Sequence, residues 1–159
     1  MQTAPNKPPK WYWIVSSLAL VWMLIGVMAW TADLMADEAS LAQLSEAQRQ
    51  LYVSRPQWLF AVYAIAIFSG LAGAIALLLR RAWARVAFAI SLAAVIVQFG
   101  YTFLVLNAIE LLGAGEALTF PLVIFAIGLA LLWFSVYAKN SGWLEAGRVD
   151  NPSSASAPV

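Results

Sequence analysis

An all-α fold is what this sequence predicts, in the form of a four-transmembrane-helix antiparallel bundle with a short amphipathic helical segment in the first outer loop. Three observations carry that expectation. Of 159 residues, 63% are hydrophobic and only 11% charged, whereas a soluble domain carries about 25% charge and can cover its surface with it. The few charges divide the chain into four long uncharged windows. Finally, the apolar runs inside those windows, such as residues 74–79 and 124–134, do not alternate with polar residues as the strands of a membrane barrel do.

The elements follow in order. Between Lys10 and Asp33 lie 22 uncharged residues, and about 20 apolar residues in a helix cross a bilayer core of about 30 Å. This gives a first span at about residues 11–32, with Trp11, Tyr12 and Trp13 at one end and Trp30 at the other, as amphipathic rings settle at headgroup level. A cleaved signal peptide ending near Val27, Met28 and Ala29 is the rival reading. Its apolar run would exceed the usual length, and flanking tryptophans suit a span better. In the loop of residues 33–56, Leu41, Leu44, Leu51 and Tyr52 recur at near-helical spacing, and Ser45 with Gln48 fits a capping box. That segment reads either as a passive amphipathic connector lying on the membrane surface or as a gating lid.

Pro56 and Trp58 open the second span, residues 57–79, within an uncharged window of 24 residues between Arg55 and Arg80. The short Arg80–Arg85 turn then forces an antiparallel hairpin with the third span, residues 84–109, whose own window between Arg85 and Glu110 is also 24 residues. Thr119 and Pro121 suit the start of the fourth span, residues 118–138, and Trp133, Tyr137 and Trp143 mark its far interface. The membrane domain therefore covers residues 11–144. The Pro-rich residues 1–10 and the Ser-, Ala- and Pro-containing residues 145–159 read as disordered tails.

Orientation follows from Lys and Arg. Seven lie in the two tails and the second loop, against two, Arg49 and Arg55, in the first loop and none in the third. Cytoplasmic segments carry the excess of these residues, so both termini are expected in the cytoplasm of a multi-pass inner-membrane protein.

A net charge of +1 is too balanced for a nucleic-acid binder. With no cysteine and no histidine, thiol catalysis, disulfides, iron–sulfur clusters and His-ligated metals or haem are excluded. No cofactor and no metal site is expected. Acid–base chemistry would rest on exposed acids such as Glu110 with Asp33, which no motif joins, so the chain reads as a non-enzyme.

Two polar constellations stand out. Counting along each window places Gln98 near the midplane, level with Trp22, Ser69 and Gly128. These form either a small midplane polar site or one interhelical hydrogen bond that fixes packing, worth about 0.6 kcal/mol in a membrane. Nearer the outer face, Tyr63, Tyr101, Asn107 and Glu110, with Asp33 or Arg55 close by, would build an outer pocket or simply wet the helix ends. Ala66, Gly70, Gly73 and Ala74 form a small-residue stripe that lets another helix approach, within the bundle or in a dimer. Gly128 would likewise leave room. No charge lies inside any window, which argues against an ion-coupled pump.

The opening NKPPKWYWIVSSLALVWMLIGVMAW, the LSEAQRQLYVSRPQW entry to the second span, VQFGYTF followed by NAIE, and the closing SGWL resemble a family of small bacterial four-helix integral membrane proteins whose members commonly carry the label "sugar transporter". The resemblance covers roughly residues 9–144. It implies four helices and a bacterial inner membrane, and it points to transport of a small neutral solute, a sugar among the candidates, by an oligomer. The other reading is a non-transporting scaffold, assembly or regulatory subunit that partners a larger membrane protein. Four packed helices enclose no solute-sized path, so a transporter would need a second copy.

Overall fold

The computed structural model describes residues 7–145; the tail segments 1–6 and 146–159 lie outside the described residues. Seven helices are described: α1 (Lys10–Leu34), α2 (Glu38–Ala42), α3 (Glu46–Val53), α4 (Gln57–Leu78), α5 (Ala84–Leu104), α6 (Ala108–Leu112) and α7 (Ala114–Asn140). Four of them, α1, α4, α5 and α7, are long and apolar enough to cross a membrane. The shortest, α5, has 21 residues and rises about 31 Å, enough for a hydrocarbon core of about 30 Å.

Two helix ends differ from the sequence expectation. The third span stops at Leu104 rather than near residue 109. Asn107 turns into the left-handed region at φ 48° and the short α6 starts afresh; Asn is among the few residues with a side chain that adopt this conformation readily. The fourth span begins at Ala114, and Pro121 sits inside it rather than at its start. Gly113, at φ 82°, makes the corner between α6 and α7, where a Cβ would strain the backbone.

The helices pack around a central α4–α5 pair, with α1 against α4 and α7 against α5. The stripe of small residues explains the close approach. A Cβ on Gly70 would lie 2.6 Å from the Met23 sulfur and 3.0 Å from Ser91 Oγ, and one on Gly73 would lie 3.1 Å from the Phe88 ring. Ala66 and Ala74 are buried beside them, so this face of α4 is occupied by α1 and α5 of the same chain. Gly128 of α7 plays the same part against Leu92 of α5, at 3.1 Å. Ser91 Oγ donates to the Ala66 carbonyl at 2.6 Å, tying α5 to α4.

The end of the molecule carrying Lys10 and Asn140, called the tail end below, is closed by side chains and backbone together. α4 ends on Arg80 at φ 56° and α7 on Gly142 at φ 73°. In each case the next residue's N–H reaches back five positions, Arg81 to the Ala76 carbonyl at 2.7 Å and Trp143 to the Ala138 carbonyl at 3.0 Å, which satisfies carbonyls the helix leaves open. The segment after α7 then lies on the α4–α5 turn. Glu145 N–H donates to the Arg80 carbonyl at 2.6 Å, Ala82 N–H to the Glu145 carbonyl at 3.1 Å, and Arg80 Nε to the Trp143 carbonyl at 2.8 Å. The Tyr12 hydroxyl caps the Leu77 carbonyl. Rings of Trp11, Tyr12, Phe134, Tyr137 and Trp143 meet edge to face or tilted here. The buried core, including Met23, Leu77, Phe88, Leu131 and Phe134, belongs to this half.

Candidate functional site: a cleft at the loop end

The opposite end, called the loop end, is built differently. α2 is capped by Asp37, whose carboxylate accepts from the Ser40 N–H and hydroxyl, each at 2.8 Å. Those two donors hold the Asp37 carboxyl below the usual carboxylate range. α3 starts with a reciprocal capping box: Gln48 N–H donates to Ser45 Oγ at 3.2 Å and Ser45 N–H to Gln48 Oε1 at 3.1 Å.

Three polar contacts hold α3 to the bundle. The Tyr52 hydroxyl donates to the Asp33 carbonyl at 2.7 Å. Arg55 pairs with the Asp33 carboxylate at 3.1 Å, both side chains 26% exposed, and the guanidinium lies 4.6 Å over the Tyr52 ring. Gln48 Nε2 donates to Glu116 of α7 at 2.6 Å. α3 also packs on α6.

Beneath α3, between α4, α5, α6 and α7, lies a cleft of about 220 Å³. Leu51 and Arg55 form its roof. Phe60 and Tyr63 of α4, Gln98, Phe99, Thr102 and Phe103 of α5, and Glu116 and Phe120 of α7 line its walls. Most of this lining is apolar or aromatic, with few polar groups, the composition usual for small-molecule sites. Arg55 is neutralised by Asp33, and Glu116 is engaged by Gln48. Thr102 Oγ1 donates to the carbonyl of Gln98 in its own helix. Tyr63 and Gln98 both line the cleft, and the Tyr63 hydroxyl and the Gln98 carboxamide form no hydrogen bond among the described residues.

The structure therefore regroups the residues singled out in the sequence. Gln98, expected at the midplane, and Tyr63, expected in the outer pocket, share one cleft. Arg55, expected beside the outer pocket, lines the same cleft with Asp33 as its ion-pair partner; the remaining residues of those two constellations do not line it. Ser69 Oγ donates to the Ile65 carbonyl of its own helix, and Trp22 packs against the buried core. Tyr101 meets Trp58 edge to face with ring centroids 4.9 Å apart. Asn107 and Glu110 are exposed at the ends of α6's first turn. The sequence reading passed over Phe60, Phe99, Phe103, Glu116 and Phe120. Part of the signal was present, since Gln98 and Thr102, and Phe99 and Phe103, are each one helical turn apart and side by side on α5.

No protein-family model, curated protein or solved structure matches this chain.

Proposed function

We propose that the chain is an antiparallel four-helix bundle of a bacterial inner membrane, with both termini cytoplasmic, and that it binds a small neutral solute in the loop-end cleft as a transporter-like protein. α3 is then the amphipathic segment of the outer loop, lying across the mouth of the site. The observation that carries this reading is the unpartnered pair of Tyr63 hydroxyl and Gln98 carboxamide in an aromatic-walled cleft whose charges are already engaged. A neutral ligand with hydroxyl groups and an apolar face, such as a sugar or a related polyol, fits that chemistry: the rings take its apolar face, and the two polar side chains take its hydroxyls. A charged ligand would have to displace Asp33 or Gln48 from its present partner.

A second reading, a binding or regulatory subunit without transport, is favoured by the packed tail half, whose buried core continues to the tail end beneath the cleft. Solute passage would need rearrangement of that half or a second copy.

A thermal-shift panel of neutral monosaccharides and polyols on the purified protein tests the proposal. At least one compound should stabilise the wild type, and Gln98→Leu and Tyr63→Phe should each weaken that response while leaving the unliganded stability within about 1 kcal/mol. A panel in which no compound shifts the wild type, or in which the variants respond as the wild type does, contradicts it. Flux of the same compound into proteoliposomes separates transporter from subunit.

A further inference from the structure

A second concavity lies toward the tail end of α5 and α7, shares no lining residue with the cleft and is independent of its reading. It is a shallow, widely open apolar trough between α5 and α7. Val86, Ala89, Ile90 and Ala93 of α5 and Leu132 and Val136 of α7 line it, Ala89 and Ala93 being one turn apart. Its tail-end rim is Arg85, in the first turn of α5 and exposed. Among the described residues Arg85 has no ion-pair or hydrogen-bond partner. Around it, the described residues of the tail end carry Lys7, Lys10, Arg80, Arg81 and Lys139 against one acid, Glu145.

We infer that this trough is a binding site for an anionic phospholipid, with one acyl chain lying over Ala89 and Ala93 and the headgroup phosphate on the Arg85 guanidinium. The trough runs along two membrane-spanning helices, so its occupant is apolar along its length. Its only polar wall group is a cation at helix-end depth, where a lipid phosphate sits. A guanidinium offers paired N–H donors that match phosphate oxygens, and basic residues at the membrane surface attract anionic lipids. A zwitterionic lipid would fill the trough but bring a compensating cation to an already basic rim.

The test compares a phosphatidylglycerol with a phosphatidylcholine of identical acyl chains, added to the full-length protein in mild detergent. Retained lipid is counted by native mass spectrometry, and the melting temperature is followed in parallel. The wild type should prefer the phosphatidylglycerol by about five-fold, the effect of about one basic contact. Arg85→Gln should remove that preference and Arg85→Lys should keep part of it. Ala93→Leu, which fills the trough, should reduce retention of both lipids. Arg81→Gln, which changes a basic residue outside the trough, should leave the preference intact. Equal loss in Arg81→Gln and Arg85→Gln would show a diffuse surface potential instead of a site. Unchanged retention in Ala93→Leu, in a variant that elutes as the wild type does, would overturn the trough as the place of binding.

Discussion

The two halves of this helical layer are built from the same apolar vocabulary and reach opposite outcomes. In the tail half, small residues sit opposite large ones: Gly70 against Met23, Gly73 against Phe88, Gly128 against Leu92. The helices close up, and Leu77, Phe88 and Phe134 are buried. In the loop half, Phe99, Phe103 and Phe120 face a cleft instead of a glycine, and Gly100 has nothing within 4 Å of where its Cβ would be. Along α4 and α5, small residues gather in the tail half and aromatic ones in the loop half. What differs with them is the pairing of small with large across each interface, which decides where backbones approach and where a cavity stays.

Replacing one glycine in each half should break the comparison most visibly. Gly70→Leu drives a side chain into Met23 and Ser91, and overpacking of that kind costs about 1–3 kcal/mol. Gly100→Leu meets open space and should change stability by about 0.5 kcal/mol or less. Thermal unfolding of both variants in the same detergent checks this. Equal losses would mean that the halves are packed alike.

Smaller in effect is the Arg55–Asp33 ion pair at the cleft. Asp33→Ala removes the partner of Arg55 but leaves the Tyr52 hydrogen bond, which uses the Asp33 backbone carbonyl. A partly exposed pair of this kind contributes about 1 kcal/mol at most. Amide exchange in α3 should therefore accelerate several-fold in the variant, with α5 unchanged. The same acceleration should appear in the wild type at high salt, because screening weakens the pair. If α3 exchanges at the wild-type rate in Asp33→Ala, the ion pair does not hold it.

The smallest expected effect concerns Asp37. Its carboxyl is held below the usual range by Ser40, so the cap stabilises α2 fully above the unfolded carboxylate pKa and is lost as pH falls through the lower folded value. Acidification should fray residues 38–42 while the four spans keep their protection, as amide exchange corrected for its intrinsic pH dependence would show. Uniform loss of protection across the spans would place the acid-sensitive step elsewhere.

The four spans could be read from charge-free windows because hydrocarbon tolerates so few charges that the chain must mark its own exits. Helix ends inside a window carry no such mark. Residues 105–109 are uncharged, so nothing in hydropathy separates the end of α5 at Leu104 from the turn at Asn107. The window count to residue 109 puts Gln98 in its middle, whereas in α5 it is the seventh residue from the end at Leu104. Tyr63 is likewise the seventh residue of α4, which places the two on a common level of the α4–α5 hairpin and in one cleft. The contacts of the α3 region were illegible for another reason. Arg55 with Asp33 and Gln48 with Glu116 join residues 22 and 68 positions apart, and one sequence holds no signal for which polar residues of a loop meet which helix end.

Cysteine reactivity tests the central claim most directly, because the chain contains no cysteine and each introduced thiol reports alone. Thr102→Cys places a thiol on the cleft wall, whereas Ser135→Cys places one at a fully buried position in the tail half. With the protein reconstituted in vesicles, a small water-soluble thiol reagent should modify the first readily and leave the second untouched until the protein is unfolded. An inert thiol at 102, or one at 135 that reacts as fast, would contradict the account of a closed tail half and an accessible loop-end cleft.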